Sequence, residues 1–317
     1  AYTKLKGDLP VGGLVDGPIY LELFKDRAGN ALTKEDKYAL FNNGKAVYHD
    51  DIGDYASNEP TMDGTAGLTY YFSSMESEGK TYAKSAGDKV DVERDGYGAI
   101  VRINPDKKVI YLIFSADSMF QGGEKILKTL DKYKIKGSFF FTGNFLRMEE
   151  KRDIISKIIK RGHYVGGHSD MHLLYAEWDG RRKSLVIPDS LVSDLQKNFE
   201  ELSKYGVNTS DAKWFLPPFE HYNSESVEVL SRAGVQTINY TPGTATPADY
   251  TTPEMENYKT AEGLIDKLFE FEKEKGLNGA IILIHPGVSD SRPDKLYDQL
   301  GTIIKRLKGL GYSFDRL

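Results

Sequence analysis

From about residue 96 to residue 317 the sequence alternates short apolar runs with longer segments of helical periodicity. This alternation is typical of repeated β/α units, whose strands are parallel. The seven predicted strands are KVIYLIFS (108–115), GSFFFTG (137–143), HYVGG (163–167), KWFLP (213–217), QTINYT (236–241), AIILIH (280–285) and GYSFD (311–315). We therefore predict an α/β fold, a distorted seven-stranded (β/α) barrel, with an open doubly wound sheet as the alternative.

Six amphipathic segments lie between these strands, and most of them end in glycine, as helices often do. Residues 1–95 have a different texture, because short alternating stretches such as PIYLELF and GLTYYFSS lie between polar turns. We predict a small β-rich accessory region at 1–95 and a barrel domain at 96–317.

Composition narrows the range of partners and ligands. The chain has a net charge of −5 and its Lys and Arg residues are dispersed, so we expect no nucleic-acid partner. Cysteine is absent, which leaves imidazole and carboxylate as the strong metal ligands. No apolar run reaches the roughly 18 residues of a membrane span. Because AYTKLKGDLPVGG contains no initiator Met and no apolar signal core, we expect the mature or trimmed form of a secreted, periplasmic or cell-surface protein.

Reactive side chains follow the predicted strands at their carboxyl ends. In parallel β/α folds the loops at these ends converge on one mouth. The candidates there are Asp117, Ser118, His168, Asp170, His172, Phe219, Glu220, Asp249 and His285. They follow five different strands, so we expect them to share one cavity.

The stretch GHYVGGHSDMH (162–172) contains three of the six histidines of the chain. His168 and His172 are four residues apart, so a helical turn at SDMH would place both imidazoles on one side, ready to chelate one ion. Two surface histidines in a polar loop would show the same spacing. The carboxylate predicted at the same mouth favours a metal site. His163, at the start of a strand, is predicted to contact nearby backbone.

His285 ends a buried strand from which its side chain can reach the cavity. A neutral core histidine is one reading, and a general acid or base is the one we favour. Asp249, in the long loop TPGTATPADY, is a candidate for orienting this imidazole.

The order of these motifs resembles that of the polysaccharide deacetylase superfamily, the NodB-homology domain of carbohydrate esterase family four. GHYVGGHSDMH is similar to its His-Ser/Thr-x-x-His metal motif, FLPPFEHYN to its Pro-Pro-Tyr/Phe motif and LIHPG to its Leu-x-His motif. KKVIYLIFSADS stands where the family has Thr-Phe-Asp-Asp. The resemblance covers about residues 97–317 and implies a distorted barrel, in agreement with the strand count.

The resemblance also implies a reaction, the metal-assisted removal of acetyl groups from sugars. It implies that His168 and His172 bind a divalent ion, with Zn²⁺ expected ahead of Co²⁺ and Ni²⁺. It further implies that Asp117 is the base and His285 the general acid, while the backbone amide of Phe219 helps to hold the oxyanion. The implied partner is an acetylated glycan.

The first acidic motif departs from the family pattern. Aligned without gaps onto residues 115–118, it places the base at Asp117 and a serine where the family has its metal-binding aspartate. The third metal ligand is therefore either Asp117 or Ser118. A register shifted by two residues, which keeps Phe114 in line, loses both acids.

The second departure is Leu216, because the family has an arginine before the two prolines of this motif, and the resemblance aligns it with Leu216. The charge that steadies the base is therefore missing. If Asp117 itself bound the metal, Glu220 or Asp170 would have to serve as base. Loss of an anionic ligand should weaken the site for a dication.

Three residues outside these motifs are candidates for substrate contact. Trp178, in EWDG, could stack on a sugar ring or simply pack. Arg292 and Asp294, in SRPDKLY, either contact substrate or form a surface salt bridge. The function that we predict first is that of a metal-dependent carbohydrate deacetylase. The alternative is a catalytically impaired glycan-binding protein on the same scaffold, and it is favoured by Ser118 and Leu216.

Overall fold

The computed structural model describes residues 19–22, 24, 45–47 and 90–317. The chain divides into two compact units, Ala1–Gly87 and Asp88–Leu317. In the first unit, β1 (Ile19–Tyr20) pairs antiparallel with β2 (Ala46–Val47). Most of the β-rich region predicted for residues 1–95 lies outside the described residues.

One sheet organises the described part of the second unit. Seven of its strands are parallel: β5 (Val109–Ala116), β6 (Ser138–Phe141), β7 (Tyr164–Gly167), β8 (Trp214–Phe215), β9 (Gln236–Thr237), β10 (Ala280–Leu283) and β11 (Ser313–Asp315). An antiparallel hairpin of β3 (Val92–Arg94) and β4 (Ile100–Ile103) joins the sheet beside β10. The strand order is β3-β4-β10-β5-β6-β7-β8-β9, and β11 pairs with the start of β5. All seven predicted strands are present.

The sheet curls until its two ends meet. A parallel bridge joins Ile100 in β4 to Ile238, which directly follows β9. The backbone N–H of Asn239 also donates to the carbonyl oxygen of Ile100 at 2.8 Å. The prediction of a distorted (β/α) barrel is therefore confirmed, and the open doubly wound alternative is not adopted.

Helices cover the outside of this sheet: α1 (Gly123–Tyr133), α2 (Gly143–Leu146), α3 (Arg152–Lys160), α4 (Pro188–Lys204), α5 (Ser224–Arg232), α6 (Ala261–Lys275) and α7 (Leu300–Gly309). Six of them coincide with the predicted amphipathic segments, and the short α2 was not predicted. Apolar faces turned to the sheet explain the agreement, as with Ile126, Leu127 and Leu130 of α1, which are fully buried. No helix within the described ranges is long and apolar enough to cross a lipid bilayer.

The alternating side chains of β5 fill two different core layers. Ile110, Leu112 and Phe114 pack with helix residues in the layer outside the sheet. Tyr111 and Ile113 pack with residues of other strands inside the barrel. Because both faces are buried, the strand appears in the sequence as a continuous apolar run.

Arg292, expected as a substrate contact, is fully buried, so that expectation does not hold. Its guanidinium donates to three backbone carbonyl oxygens, those of Thr251 (2.7 Å), Lys259 (2.8 Å) and Asp294 (2.7 Å). It also lies 3.5 Å from the Asp294 carboxylate. Arg292 therefore ties the loop that precedes α6 to the segment that follows β10.

We predict that Arg292→Met lowers the free energy of unfolding by about 3 to 5 kcal/mol, because it leaves three backbone carbonyl groups without this donor and the Asp294 carboxylate without its cation. Urea denaturation measures this change. The matched control is Arg182→Met at an exposed arginine, with an expected change within about 0.5 kcal/mol. Equal effects of the two substitutions would contradict a structural role for Arg292.

Candidate active site

The two histidines of the predicted metal motif lie side by side. His168 directly follows β7, and the ring centroids of His168 and His172 are 5.1 Å apart. The helical turn considered for SDMH does not form, because Ser169 and His172 have left-handed backbone conformations with φ of 74° and 55°. The backbone reversals of this loop, rather than a helix, bring the imidazoles together.

The tautomer of His168 is set by a backbone carbonyl group. His168 is 2% exposed, and its Nδ1 lies 2.7 Å from the carbonyl oxygen of Leu216. A carbonyl oxygen can only accept, so Nδ1 carries the proton and Nε2 keeps its lone pair. Burial, together with the neighbouring His172, lowers the pKa of His168 to about 3. His168 is therefore a neutral imidazole whose Nε2 has a free lone pair.

Opposing effects act on the pKa of His172. Burial lowers its pKa, while the charges of Asp117 and Asp194 act in the opposite direction. Its ring centroid lies 4.3 Å from that of Phe219. The two adjacent imidazoles form the kind of nitrogen donor pair that borderline dications bind.

Helix α4 holds the loop that carries the histidines. Asp194 accepts hydrogen bonds from two backbone N–H groups between His168 and His172, each at 3.0 Å. Asn198 accepts from the backbone N–H of His168 at 3.1 Å and donates to the carbonyl of Phe141 at 3.0 Å. Sequence reasoning missed both residues. The available signal was that Asp and Asn occupy the buried face of an amphipathic helix.

Asp117 directly follows β5, and its Oδ1 accepts two hydrogen bonds. The donors are the Thr142 hydroxyl at 3.0 Å and the Asn144 side-chain amide at 3.1 Å. Thr142 also caps α2, since its hydroxyl accepts from the backbone N–H of Phe145. Thr142 and Asn144 were missed because they fall in and beside a predicted strand. Ser118, the next residue, is exposed.

Asp170, considered as a base, is engaged elsewhere. It is 4% exposed, and its Oδ1 lies 2.5 Å from Nη1 of Arg147. The structure therefore brings Asp170 to the histidine loop as one partner of an ion pair, and not as a free carboxylate.

His285 and Asp249 form a close pair, as predicted. The ring Nδ1 of His285 lies 2.5 Å from Oδ1 of Asp249, and the backbone N–H of His285 donates to Oδ2 at 2.9 Å. Burial opposes charge on His285, but the charge and hydrogen bond of Asp249, with the charge of Glu220, raise its pKa to about 9. At neutral pH His285 is thus an imidazolium with its Nε2–H still available, and not a neutral core histidine.

A strained turn follows β8. Phe219 and Glu220 both have left-handed conformations, with φ of 57° and 53°, which are uncommon for large side chains. Burial raises the pKa of Glu220 to about 7, while the nearby His285 acts to lower it. Leu216 is fully buried in the core inside the barrel. The turn therefore brings a carboxyl group to the His285–Asp249 pair, and Leu216 brings no charge.

An aromatic strip, consisting of His172, Phe219, Trp178 and His221, leads away from the histidine pair. The ring centroids of Phe219 and Trp178 are 5.7 Å apart, and those of Trp178 and His221 are 4.4 Å apart. Trp178 is 62% exposed and Phe219 is 44% exposed. Exposed rings of this kind suit stacking on a sugar.

The side chains that could bind a divalent ion at this site are of suitable types, but the set is incomplete. Within the described ranges, no group of three or more His, Cys, Asp or Glu side chains is arranged to hold a metal. The two imidazoles supply nitrogen donors of the kind that Zn²⁺ binds. The position next to Asp117 supplies only the exposed hydroxyl of Ser118. The side chains at this site are thus two imidazoles and a hydroxyl, a neutral donor set of the kind that binds dications weakly.

Known proteins are similar in sequence to the barrel domain. Residues 102–238 match the family model for polysaccharide deacetylases. The peptidoglycan-N-acetylmuramic acid deacetylase PdaA of Bacillus subtilis is 26% identical over 234 residues, which cover 73% of this chain and 78% of PdaA. A peptidoglycan-N-acetylglucosamine deacetylase of Bacillus cereus is 25% identical over 224 residues, which cover 71% of this chain and 92% of that protein.

Solved structures share the fold. The structure of Bacillus subtilis PdaA, a family 4 carbohydrate esterase, aligns with a TM-score of 0.53 at 25% identity and covers 69% of this chain and 83% of its own. A CE4 family pseudoenzyme from Bacillus anthracis aligns with a TM-score of 0.55 at 23% identity and covers 70% of this chain and 68% of its own. A mutant of a CE4 family pseudoenzyme with restored enzymatic activity aligns with a TM-score of 0.53 at 23% identity, covering 70% of this chain and 71% of its own.

We predict that Asp249→Asn shifts the titration midpoint of the His285 imidazole from about 9 to below its ordinary value of 6.5, because burial then acts without the compensating carboxylate. Proton NMR of the imidazole C–H signals measures both midpoints. Since the folded pKa lies above the unfolded one, the stability that the pair contributes is complete below pH 6.5 and is lost as the pH rises through 9. An unchanged midpoint in the variant would show that Asp249 does not control His285.

Proposed function

We propose that the barrel domain of this chain, whose residues 102–238 match the polysaccharide deacetylase family, removes N- or O-linked acetyl groups from a carbohydrate by metal-assisted hydrolysis. One observation carries the proposal. The charges of both Asp117 and His285 act on His172, so a carboxylate and an imidazolium lie around the same imidazole pair. A base, an acid and two metal ligands are the groups that acetyl transfer to water requires.

The metal ligands in this proposal are His168, through its free Nε2, and His172. A divalent ion bound there, Zn²⁺ in our assignment, supplies Lewis acidity that polarises the acetyl carbonyl and lowers the pKa of water. Oδ1 of Asp117 is occupied by two donors, and Oδ2 has no hydrogen-bond donor in the described part of the chain. Oδ2 of Asp117 therefore takes the proton of the attacking water, and the backbone N–H of Phe219 donates to the oxyanion.

His285 is the general acid. Its Nδ1–H donates to Asp249, which keeps the ring oriented, and its Nε2–H donates the proton to the leaving amine or alkoxide. The charge of Glu220 helps to keep His285 protonated at neutral pH. Activity should therefore decline as the pH rises through about 9.

The substrate that we propose is an acetylated polysaccharide outside the cytoplasm. Trp178, the most exposed residue of the aromatic strip, offers a ring for a sugar unit next to the acetylated one. The relatives PdaA and the Bacillus cereus protein are named for deacetylation of peptidoglycan. We extend that substrate class, and a secreted, periplasmic or cell-surface location, to this chain.

A second candidate function is glycan binding without hydrolysis. It is favoured by the missing third ligand, since the described residues contain no group of three suitable metal-binding side chains. Trp178 and Phe219 would serve the binding function equally well. The two functions differ in whether acetate is released.

We predict that the purified protein, saturated with Zn²⁺, Co²⁺ or Ni²⁺, releases acetate from peptidoglycan, chitooligosaccharides or acetylated xylan. His285→Gln should lower kcat by at least about 100-fold, because the leaving group then lacks its proton donor. His163→Gln at the opposite end of β7, where the ring Nδ1 accepts from the backbone N–H of Gly137, is the control and should leave kcat unchanged. Glycan binding without any acetate release would establish the second candidate instead.

We also predict that Ser118→Asp tightens Zn²⁺ binding by at least about tenfold, because it adds an anionic ligand at the exposed position next to Asp117. Isothermal titration calorimetry measures the affinity, and acetate release should rise with it. Ser118→Asn has nearly the same shape without the charge and should leave the affinity near that of the wild type. Equal affinities for the Asp and Asn variants would refute this placement of the third ligand.

A further inference from the structure

The Asp117 carboxylate is held without a direct cation. None of the ion pairs in the described part of the chain includes Asp117. Its orientation depends on the Thr142 hydroxyl and the Asn144 amide, which both donate to Oδ1. We propose that Asn144 and Arg147 form a positioning relay, in which Arg147 fixes the Asn144 amide and Asn144 fixes the carboxylate of Asp117. The relay rests on the proposed function only in treating Asp117 as the base.

The first step is the orientation of the amide. Nη2 of Arg147 lies 3.1 Å from Oδ1 of Asn144. A guanidinium can only donate, so the amide oxygen must face Arg147 and the NH₂ group must face Asp117. Without Arg147, the amide oxygen would lose its charged donor, and only the hydrogen bond to Asp117 would hold the NH₂ group in place. Arg147 thus reinforces the donor orientation that Asp117 requires.

The second step is the anchoring of Arg147 itself. Its Nη1 lies 2.5 Å from Oδ1 of Asp170 and 3.6 Å from Glu201, which lies on α4. Gly143 makes room for this contact, because a Cβ atom there would lie only 1.7 Å from Oδ1 of Asp170. The hydrogen bond to Asp170 raises the pKa of Arg147, which keeps the guanidinium charged. The Arg147 side chain, although partly exposed, is therefore held at both terminal nitrogens of its guanidinium.

The third step links the relay to the histidine loop. The backbone N–H of Gly143 donates to the carbonyl of Ser169 at 3.1 Å, and that of Asn144 donates to the carbonyl of Asp170 at 3.0 Å. Asp170 lies between the two histidines. The turn that orients Asp117 is thus bound to the turn that carries His168 and His172, so base and imidazoles are positioned as one unit.

The orientation has a chemical consequence. Two donors on Oδ1 leave Oδ2 as the oxygen that can receive a proton. A rotated carboxylate would present an oxygen already hydrogen-bonded to Asn144 and be a poorer base. Asn144 and Arg147 are positioning residues, because they act on the reaction through Asp117.

The relay is tested first without metal or substrate, by proton exchange of the Asn144 side-chain NH₂ in ¹⁵N-labelled protein. The comparison is with Asn208, whose exposed NH₂ donates to Asp211 at 2.9 Å. We expect exchange at Asn144 to be at least about tenfold slower than at Asn208. Arg147→Met should remove most of this protection and Arg147→Lys only part of it. Equal exchange at Asn144 in the wild type and in Arg147→Met would overturn the relay.

The second measurement separates kcat from KM. Asn144→Leu should lower kcat by about 10- to 100-fold with KM unchanged, because only the base is misplaced. Arg147→Met should lower kcat less, and Arg147→Lys should recover part of the loss. Arg152→Met, which removes an exposed pair with Glu149, is the size-matched control and should leave kcat unchanged.

The two measurements fail independently. If the wild type releases no acetate from any substrate, the proposed function fails, and the exchange rates of Asn144 still decide whether the relay exists. If acetate is released and a folded Asn144→Leu retains full kcat, the positioning role is wrong while the proposed function stands. Unfolding midpoints of each variant confirm that the comparison is made on folded protein.

Discussion

The hydrogen bond between the His168 ring and the Leu216 carbonyl depends on strand register. β7 and β8 are parallel neighbours in which Gly167 pairs with Phe215, so the residues that follow them, His168 and Leu216, lie side by side. The ring donates to the carbonyl at 2.7 Å, and this contact fixes which nitrogen keeps its lone pair. The sheet therefore determines the chemistry of the imidazole through backbone geometry alone, with no dedicated side-chain partner.

Burial disfavours the charged forms of His168, Glu220 and His285, and Asp249 counteracts this effect at His285. It lowers the pKa of His168 to about 3 and raises that of Glu220 to about 7, so both are driven toward their neutral forms. Burial also disfavours the charged form of His285, but His285 keeps its charge because Asp249 contacts both its ring and its backbone N–H. Neutral metal-ligand candidates and a charged acid can thus coexist within one cavity.

The sequence was sufficient to predict the parts of the molecule that burial controls. Apolar periodicity located the seven parallel strands and six of the helices, and the strand ends located the histidines, Asp117 and the His285–Asp249 pair. The left-handed residues of the loops were not predictable, because their conformations depend on hydrogen bonds to distant elements such as α4. Arg292 was misjudged for the same reason. Two of its carbonyl partners, Thr251 and Lys259, are distant in sequence, and the third, Asp294, lies in the same polar loop as Arg292. No local pattern therefore distinguishes Arg292 from a surface arginine.

The two departures from the family motifs have different physical weights. Leu216 is buried in the apolar core inside the barrel, among Ile113, Phe140 and Leu283, so an arginine side chain there would bring a charge into that core. Ser118 is exposed, so a carboxylate there is solvated and faces no such penalty. Leu216 is therefore part of the packing of the barrel. With no arginine at this position, neutral donors from another turn hold the Asp117 carboxylate. Loss of the aspartate is confined to one surface side chain and leaves the rest of the site intact.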